Sequence, residues 1–326
     1  MQITRRAMLG AGLAAATGHL AAQSPWPAGR PIRMIVPFSA GGATDIAARL
    51  VGQVISESLR TAVVIENKPG AHGVVGISEV MRAPADGHTI LMGSIGTMAI
   101  NPSLHEKIPY DPNKDFAPVS LVTLTPIVVV VNPSALPVKD MRELVRYLKA
   151  NPGKVNFASA GAGNSGHVVP EYFKSRTGTF MTHIPYKGES AAMADLVSGQ
   201  VQIMFTTLLN ATPHVKSGRI RMLAVTSRQR LSDYPDVPTV AESLNMSDFD
   251  VGAWQALYAP AGTPTEIVNR LSAEVDSALK NPAVVKRLAE LGAGPGGGTP
   301  ARLAQFQRAE QERWSKVIRA ANIKAD

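Results

Sequence analysis

The sequence predicts an α/β protein in which two lobes enclose a cleft, and three observations support this prediction. Short apolar segments that are typical of strands alternate with helical segments along most of the 326-residue chain. Loops rich in glycine and serine follow three of the strands, at 38–45, 93–97 and 159–166. An extended segment, 119–131, separates the first two loops from the third. Because ligands bind beyond the carboxyl ends of the strands in such sheets, we expect these loops to face one another across the cleft.

The first loop joins a predicted strand to a predicted helix. Residues 32–36 are mostly apolar, and the glycines that follow, Gly41 and Gly42, allow the backbone to turn tightly. A helix is expected to begin at Thr44 or Asp45, and the free N–H groups of its first turn favour an anion. An ordinary strand-to-helix turn has the same features, so the anion site is one of two interpretations. The apolar face of this helix is predicted to contain Ile46, Leu50 and Val54.

The other elements follow from apolar spacing and from glycine and proline positions. Strands are predicted at 62–65, 88–92, 119–131 with a break at Pro126, 155–158, 181–184, 201–205 and 223–226. A proline-rich connector is predicted at 101–118. Helices are predicted to end near 83 and to span 140–150, 167–176, 190–198, 264–280 and 282–291, with a last helix beginning near Thr299. The sequence Thr263-Pro264-Thr265-Glu266 has the pattern of a capping box, with Thr263 as the cap.

The composition excludes several classes of protein. The formal net charge is +8, but aromatic residues make up only 5% of the chain and no basic stretch is interleaved with them, so nucleic-acid binding is not predicted. The absence of cysteine removes disulfides, thiolate catalysis, cysteine-based zinc sites and the anchoring cysteine of a lipoprotein. The longest apolar runs fall short of 18 residues, so the protein is not expected to be embedded in a membrane.

The first 22 residues are predicted to be an export signal. Arg5 and Arg6 precede a mild apolar run, 10–16, that is too short to span a membrane. The adjacent arginines are similar to a twin-arginine signal, and an ordinary secretory signal with a dibasic start explains them equally well. Cleavage after Ala22 would release an unanchored protein into a bacterial periplasm.

No motif in the chain predicts an enzyme. The segment 161–166 matches G-x-G-x-x-G between a strand and a helix, but a dinucleotide site also needs an acidic residue at the end of the next strand, and 182–186 contains none. The seven histidines include no close pair with metal-ligand spacing, and Ser165 lacks the G-x-S-x-G frame of a hydrolase. We therefore predict no catalytic residue, no metal and no cofactor.

Several longer motifs are similar to those of one known family. The chain resembles the Bug family, the periplasmic solute-binding proteins of tripartite tricarboxylate transporters, over nearly the whole predicted mature chain. The matching segments, in chain order, are Val36-Pro37-Phe38-Ser39-Ala40-Gly41-Gly42-Ala43-Thr44-Asp45, Glu66-Asn67-Lys68-Pro69-Gly70-Ala71, His183-Ile184-Pro185-Tyr186-Lys187-Gly188, Asp195-Leu196-Val197-Ser198-Gly199-Gln200-Val201, Ala224-Val225-Thr226-Ser227, Pro235-Asp236-Val237-Pro238-Thr239-Val240-Ala241-Glu242 and Ala259-Pro260-Ala261-Gly262-Thr263-Pro264.

This resemblance implies a type II periplasmic-binding-protein fold, with two α/β lobes around a cleft and two crossings between them. We expect the crossings near Leu124 and Asp250, so that lobe 1 contains 23–124 and 250–326 and lobe 2 contains 125–249. The resemblance also implies a carboxylate ligand held by backbone N–H groups, hydroxyls and ordered water. The ligand-binding residues it implies are Phe38, Ser39, Gly41, Gly42, Thr44, Asp45, Ser94, Thr97, Ser159, Gly163, Asn164, Ser165, His167, Thr206 and Thr207.

One departure from the family pattern bears on the ligand. Many family members carry an aspartate after the strand 201–205, whereas this chain has Thr206 and Thr207. An aspartate there could pair with an ammonium group. We therefore expect a plain mono- or dicarboxylate as the ligand, and not an amino acid.

The function that the resemblance implies is capture of a small carboxylate and its delivery to the membrane subunits of a secondary transporter. The alternative is an exported sensor that passes a ligand signal to a membrane receptor. The sequence leaves open the exact ligand, the cognate transporter, the export route and the oligomeric state.

Overall fold

The structure, a computed structural model, describes residues 26–324, so the predicted export signal lies outside the described residues. Strands and helices alternate along the chain, as predicted. The strands are β1 Ile32–Val36, β2 Val63–Asn67, β3 Thr89–Ser94, β4 Phe116–Val131, β5 Asn156–Ser159, β6 Thr182–Pro185, β7 Ile203–Thr207, β8 Arg221–Val225, β9 Gly252–Pro260 and β10 Gly294–Pro295. The helices are α1 Ala43–Leu59, α2 Val74–Met81, α3 Asn101–Leu104, α4 Met141–Ala150, α5 Ser165–Thr177, α6 Glu189–Ser198, α7 Leu208–Lys216, α8 Val240–Leu244, α9 Thr265–Lys280, α10 Pro282–Glu290 and α11 Pro300–Ala320.

The strands form a mixed sheet, whereas the sequence predicted parallel sheets. The main order is β2-β1-β3-β9-β4-β7-β5-β6, with β10 and β8 also paired to β4. Pairing is parallel among β1, β2 and β3 and among β5, β6 and β7, but β4 and β9 run antiparallel to their neighbours. The parallel expectation was therefore right for the two groups of strands that carry the loops, and wrong for the two strands between them.

Strand β4 joins the two groups, and the predicted break at Pro126 is wrong. The strand continues through Pro126, which still lies opposite Gly252 of β9. The next residue, Ile127, lies opposite Thr207 of β7. The proline therefore marks the position where β4 changes partner, and it lies where no ladder donor is needed to keep the strand extended.

Helices cover both groups of strands. The most buried face of α1 is formed by Ala47, Ala48, Val51 and Ile55, while the predicted face of Ile46, Leu50 and Val54 is partly buried beside it. Small alanine side chains allow the helix to lie close to the sheet. Trp254 of β9 is buried, and its indole N–H donates to Glu310 of α11 at 3.1 Å.

Two local predictions are wrong for reasons of packing. The second loop was expected at 93–97, but Gly93 and Ser94 remain paired with β9 and a helical turn begins at Gly96. Close packing requires glycine at position 93, because a Cβ would lie 2.9 Å from the Tyr258 ring. Thr263 does not cap α9; its hydroxyl donates to the Pro260 carbonyl at 2.8 Å. In addition, the connector 101–118 contains α3 and the start of β4.

Among the helices of residues 26–324, none has both the length and the apolarity that a membrane span requires.

Candidate functional site

The loop between β1 and α1 is held in shape by Asp45. The carboxylate of Asp45 accepts hydrogen bonds from the Gly41 N–H, the Arg49 guanidinium and the Asn67 amide, each at 2.9 Å. Burial alone would raise the pKa of Asp45, but these bonds hold it below its usual value. Gly41 has a φ of +81°, which an L side chain rarely adopts. Asp45 therefore holds the loop in shape, while the start of α1 faces the cleft.

The turn after β3 contributes Ser94. Its backbone N–H donates to the Thr97 hydroxyl at 3.0 Å, and that hydroxyl donates to the Ser94 carbonyl at 3.2 Å. Both side chains are buried. Gly96 then lies against the backbone of the third loop, where a Cβ would be 3.1 Å from the Gly163 carbonyl oxygen. This glycine allows the second and third loops to approach closely.

The third loop is held in shape by hydrogen bonds among its own residues. Asn164 caps α5 by accepting from the His167 N–H at 3.1 Å, and its amide donates to the Gly161 carbonyl at 2.6 Å. The Gly163 N–H donates to Nδ1 of His167 at 3.2 Å. Ser159 lies 2.7 Å from His183 and accepts from the Gly161 N–H at 3.1 Å. Ser159 and His167 therefore stabilise the third loop through these hydrogen bonds.

A fourth loop, which joins β6 to α6, faces the first loop. The sequence did not predict it as part of the site. The Ser39 hydroxyl donates to the Lys187 carbonyl at 2.7 Å, and the Ser190 hydroxyl donates to the Ala40 carbonyl at 3.2 Å. The carboxylate of Glu189, the first residue of α6, accepts from the Ala43 N–H at 3.1 Å. The starts of α1 and α6 are thus joined directly.

The four loops enclose a cavity of about 50 Å³. Of the predicted ligand-binding residues, eight line it: Phe38, Ser39, Gly42, Thr44, Ser94, Asn164, Ser165 and Thr207. The other seven do not line it: Gly41, Asp45, Thr97, Ser159, Gly163, His167 and Thr206. Lining residues that sequence reasoning missed are Ala43, Ile95, Gly96, Ala160, Glu189, Ala253 and Gln255.

Glu189 brings a carboxylate to the end of β7, where this chain has Thr206 and Thr207 in place of an aspartate. Its side chain accepts from the Thr206 hydroxyl at 3.4 Å. The expectation that the ligand lacks an ammonium group considered only the residues directly after β7, and it stays a prediction. The signal that could have found Glu189 is its position immediately after Gly188, where a helix follows a strand at the same edge of the sheet as the other loops.

A second cavity, of about 570 Å³, adjoins the two strands that connect the groups. It is lined by residues around Pro126, Gly252 and Trp254 and by the charged residues Glu310 and Arg313 of α11. Those charges are engaged within the protein, since Glu310 accepts from Trp254 and Arg313 donates to the Asp250 carbonyl. No predicted site residue lines this cavity. Among residues 26–324, no group of three or more His, Asp or Glu side chains has the geometry of a metal site.

Comparisons with known proteins agree with this architecture. The model of a family described as tripartite tricarboxylate transporter family receptor matches residues 47–323. The protein BugT of Bordetella pertussis is 38% identical over 317 residues, which cover 96% of each chain. The adipate-bound protein Rpa4515 of R. palustris is 36% identical with a TM-score of 0.88, covering 92% of this chain and 99% of that one. MatC of Rhodopseudomonas palustris, solved with malate, is 35% identical with a TM-score of 0.85, covering 89% of this chain and 99% of that one.

Proposed function

The chain belongs to the tripartite tricarboxylate transporter receptor family, and we propose that it captures a small carboxylate in the cavity between its four loops. The observation that carries this proposal is the set of neutral donors around the cavity. They include the start of α1, the Ser94 hydroxyl and the Asn164 amide, and the Ser39 and Thr207 hydroxyls also line the cavity. Such donors stabilise a carboxylate through charge-assisted hydrogen bonds without a buried cation.

The ligand class follows from the donors and from the relatives. Two similar proteins were solved with adipate and with malate, both of which are dicarboxylates. We propose a mono- or dicarboxylate of this size as the ligand here. The site we propose consists of the eight predicted residues that line the cavity, with the other seven as their support.

The division into two lobes supports a closing motion. We propose that lobe 1 contains 23–124 and 250–326 and that lobe 2 contains 125–249. The change of partner in β4 between Pro126 and Ile127 and the start of β9 at Gly252 support these boundaries. Rotation about these two strands would open the cavity to solvent.

We further propose that the protein acts in the periplasm and delivers its ligand to the membrane subunits of a tripartite transporter. Family membership and the predicted export signal support this role. The test of the partner is co-purification of the closed, ligand-loaded protein with transporter subunits encoded beside its gene. Retention on a membrane receptor kinase in their place would favour the sensing alternative.

Thermal unfolding of the purified protein tests the binding role. The panel contains adipate, malate, succinate, benzoate and aspartate, each measured against sodium chloride at equal ionic strength. A ligand at 100 times its dissociation constant adds about 2.7 kcal/mol to the free energy of unfolding. This corresponds to a rise of a few degrees in the midpoint for a protein of this size. The proposal fails if folded, ligand-free protein responds to none of these acids, and turnover of any of them would indicate an enzyme.

A further inference from the structure

The carboxylate of Glu189 lies where a bound anion would be expected. One oxygen accepts from the Ala43 N–H at 3.1 Å, and the other lies 3.4 Å from the Thr206 hydroxyl. The backbone N–H and the hydroxyl of Thr207 also donate to it. These donors are neutral, and they come from the start of α1 and from the end of β7. A carboxylate in this position is bound by the kind of group that the proposed function assigns to the ligand.

The helix that Glu189 caps has no side-chain cap of its own. The residue before α1 is Gly42, which cannot supply one, and α1 is 17 residues long. A helix of this length presents its first N–H groups and a partial positive charge to the cavity. Glu189 reaches them from another helix, 146 residues later in the chain. The helix start is therefore already occupied by an anion of the protein itself.

The space beside Glu189 is a second observation. The cavity there measures about 50 Å³, and a cavity of about 490 Å³ shares Phe38, Ala160 and Asn164 with it, whereas pockets for small molecules usually measure about 300 to 1,000 Å³. Glu189 is one of the lining residues, so its side chain takes up space that a ligand would need. Glu189 itself is half-buried, and Lys187 and Ser190, which lie within two residues of it, are exposed. The residue thus lies at the rim of the cavity.

We propose that Glu189 is an internal ligand, whose carboxylate occupies the anion position at the start of α1 until a ligand carboxylate displaces it. This inference rests on the proposed function and deepens it, because it makes Glu189 a determinant of affinity and specificity. A carboxylate in the cavity could instead pair with an ammonium group of a ligand. The donors favour displacement, since Glu189 accepts from the Ala43 N–H, which belongs to a residue that lines the cavity and would otherwise be unpaired at the start of α1.

Calorimetry with Glu189→Gln and Glu189→Ala tests the proposal, with adipate, malate and aspartate as probes. If Glu189 occupies the position about nine-tenths of the time, its removal lowers the apparent dissociation constant of adipate and malate about tenfold. The matched control is Glu57→Gln, which removes one exposed negative charge from the other end of α1 and is expected to leave affinity unchanged. Weaker binding of the dicarboxylates, or a loss confined to aspartate, would overturn the proposal and identify Glu189 as a direct ligand contact.

A measurement without ligand keeps the two proposals separable. The amide resonance of Ala43 in ¹⁵N-alanine-labelled protein, assigned by its loss in Ala43→Gly, is expected to move in Glu189→Gln and not in Glu57→Gln. An unmoved resonance would overturn the inference. If wild type and both Glu189 variants bind adipate equally, the inference fails while the proposed function stands. If none of them binds any acid, the proposed function fails and displacement fails with it.

Discussion

Gly188 and Ser39 meet across the cleft, so closely that a Cβ on Gly188 would lie 2.8 Å from the Ser39 Cβ. The backbone of Gly188 is extended, with a φ of 168°, and any residue can adopt that conformation. The glycine is therefore required by the approach of the two loops and not by backbone geometry. The hydrogen bond from Ser39 to the Lys187 carbonyl, at 2.7 Å, depends on the same approach.

Substitution Gly188→Ala is therefore expected to weaken ligand binding with little effect on folding. The added methyl group pushes the two loops apart and prevents full closure, and we expect a loss of about 1 to 3 kcal/mol of binding free energy, as for other overpacked contacts. Calorimetry with adipate measures it. Gly294→Ala is the matched control, since its Cβ would meet only the Leu124 carbonyl at an ordinary 3.7 Å. Equal affinity in the two variants would contradict the expectation.

Substitution Asn164→Asp separates stability from binding. Aspartate caps a helix as well as asparagine does, so the bond to the His167 N–H is kept and the midpoint of unfolding is expected to change little. The new carboxylate cannot donate to the Gly161 carbonyl, and it adds a negative charge to the cavity wall. We expect adipate affinity to fall at least about tenfold because like charges repel in a low-dielectric site. Asn164→Ala should instead lose about 1 kcal/mol of stability because the cap is missing, with a smaller effect on adipate affinity.

Substitution Gly163→Ala is expected to destabilise the third loop strongly. Gly163 has a φ of +79°, and a Cβ would lie 2.3 Å from Oδ1 of Asn101, which is buried. Strain and overpacking together should cost about 2 to 4 kcal/mol of unfolding free energy in denaturant titration. The control is Gly178→Ala at the end of α5, where φ is also positive but no atom lies within 4 Å of the Cβ. That variant should lose only about 1 kcal/mol, and similar losses in both would rule out the contact with Asn101.

Asp45 makes the stability of the first loop depend on pH. Hydrogen bonds from Arg49, Gly41 and Asn67 outweigh burial and hold its pKa below the usual value. A carboxyl group whose pKa is lower in the folded state stabilises the protein above its unfolded pKa of about 3.9, and this contribution is lost as pH falls through the folded pKa. Asp45→Asn should therefore lose about 2 kcal/mol at pH 7, the value typical of hydrogen bonds to a charged group. The difference from wild type should shrink in acid, and a difference that stays constant would contradict this origin.

Binding should also depend on pH through Glu189. Burial raises the pKa of Glu189 above its usual value, although the bonds from Ala43, Thr206 and Thr207 lower it. As pH falls towards the raised pKa, a growing fraction of Glu189 becomes neutral and competes less well for the start of α1. Wild-type affinity for adipate is therefore expected to rise as pH falls towards the raised pKa of Glu189, compared over pH values at which adipate stays fully ionised. In Glu189→Gln the same titration should be flat, and parallel curves for both proteins would contradict the explanation.

Periodicity and glycine positions in the sequence were sufficient for most of the fold. The alternation of strands and helices, the end of α6 at Gly199 and the loops before α1 and α5 all appear as predicted, because each depends on neighbours in the chain. Phe38, Ser39, Ser94 and Asn164 were implied by the family resemblance, and they lie in or next to the loops that these local patterns predict. These residues line the cavity because strands of one parallel group end at one edge of the sheet.

The tertiary structure alone decided which residues of those loops face the cavity. Asp45 and His167 lie within two residues of lining residues in the sequence, but their side chains accept hydrogen bonds from the Gly41 and Gly163 N–H groups and do not line the cavity. The position of Glu189 after Gly188 marks only a helix start. Its contact with Ala43, 146 residues away, exists because the folded sheet brings the starts of α1 and α6 together. A sequence pattern records the period of a helix or strand and the bonds of a turn. Contacts between distant segments depend on how whole elements pack, and no single stretch of this sequence contains that information.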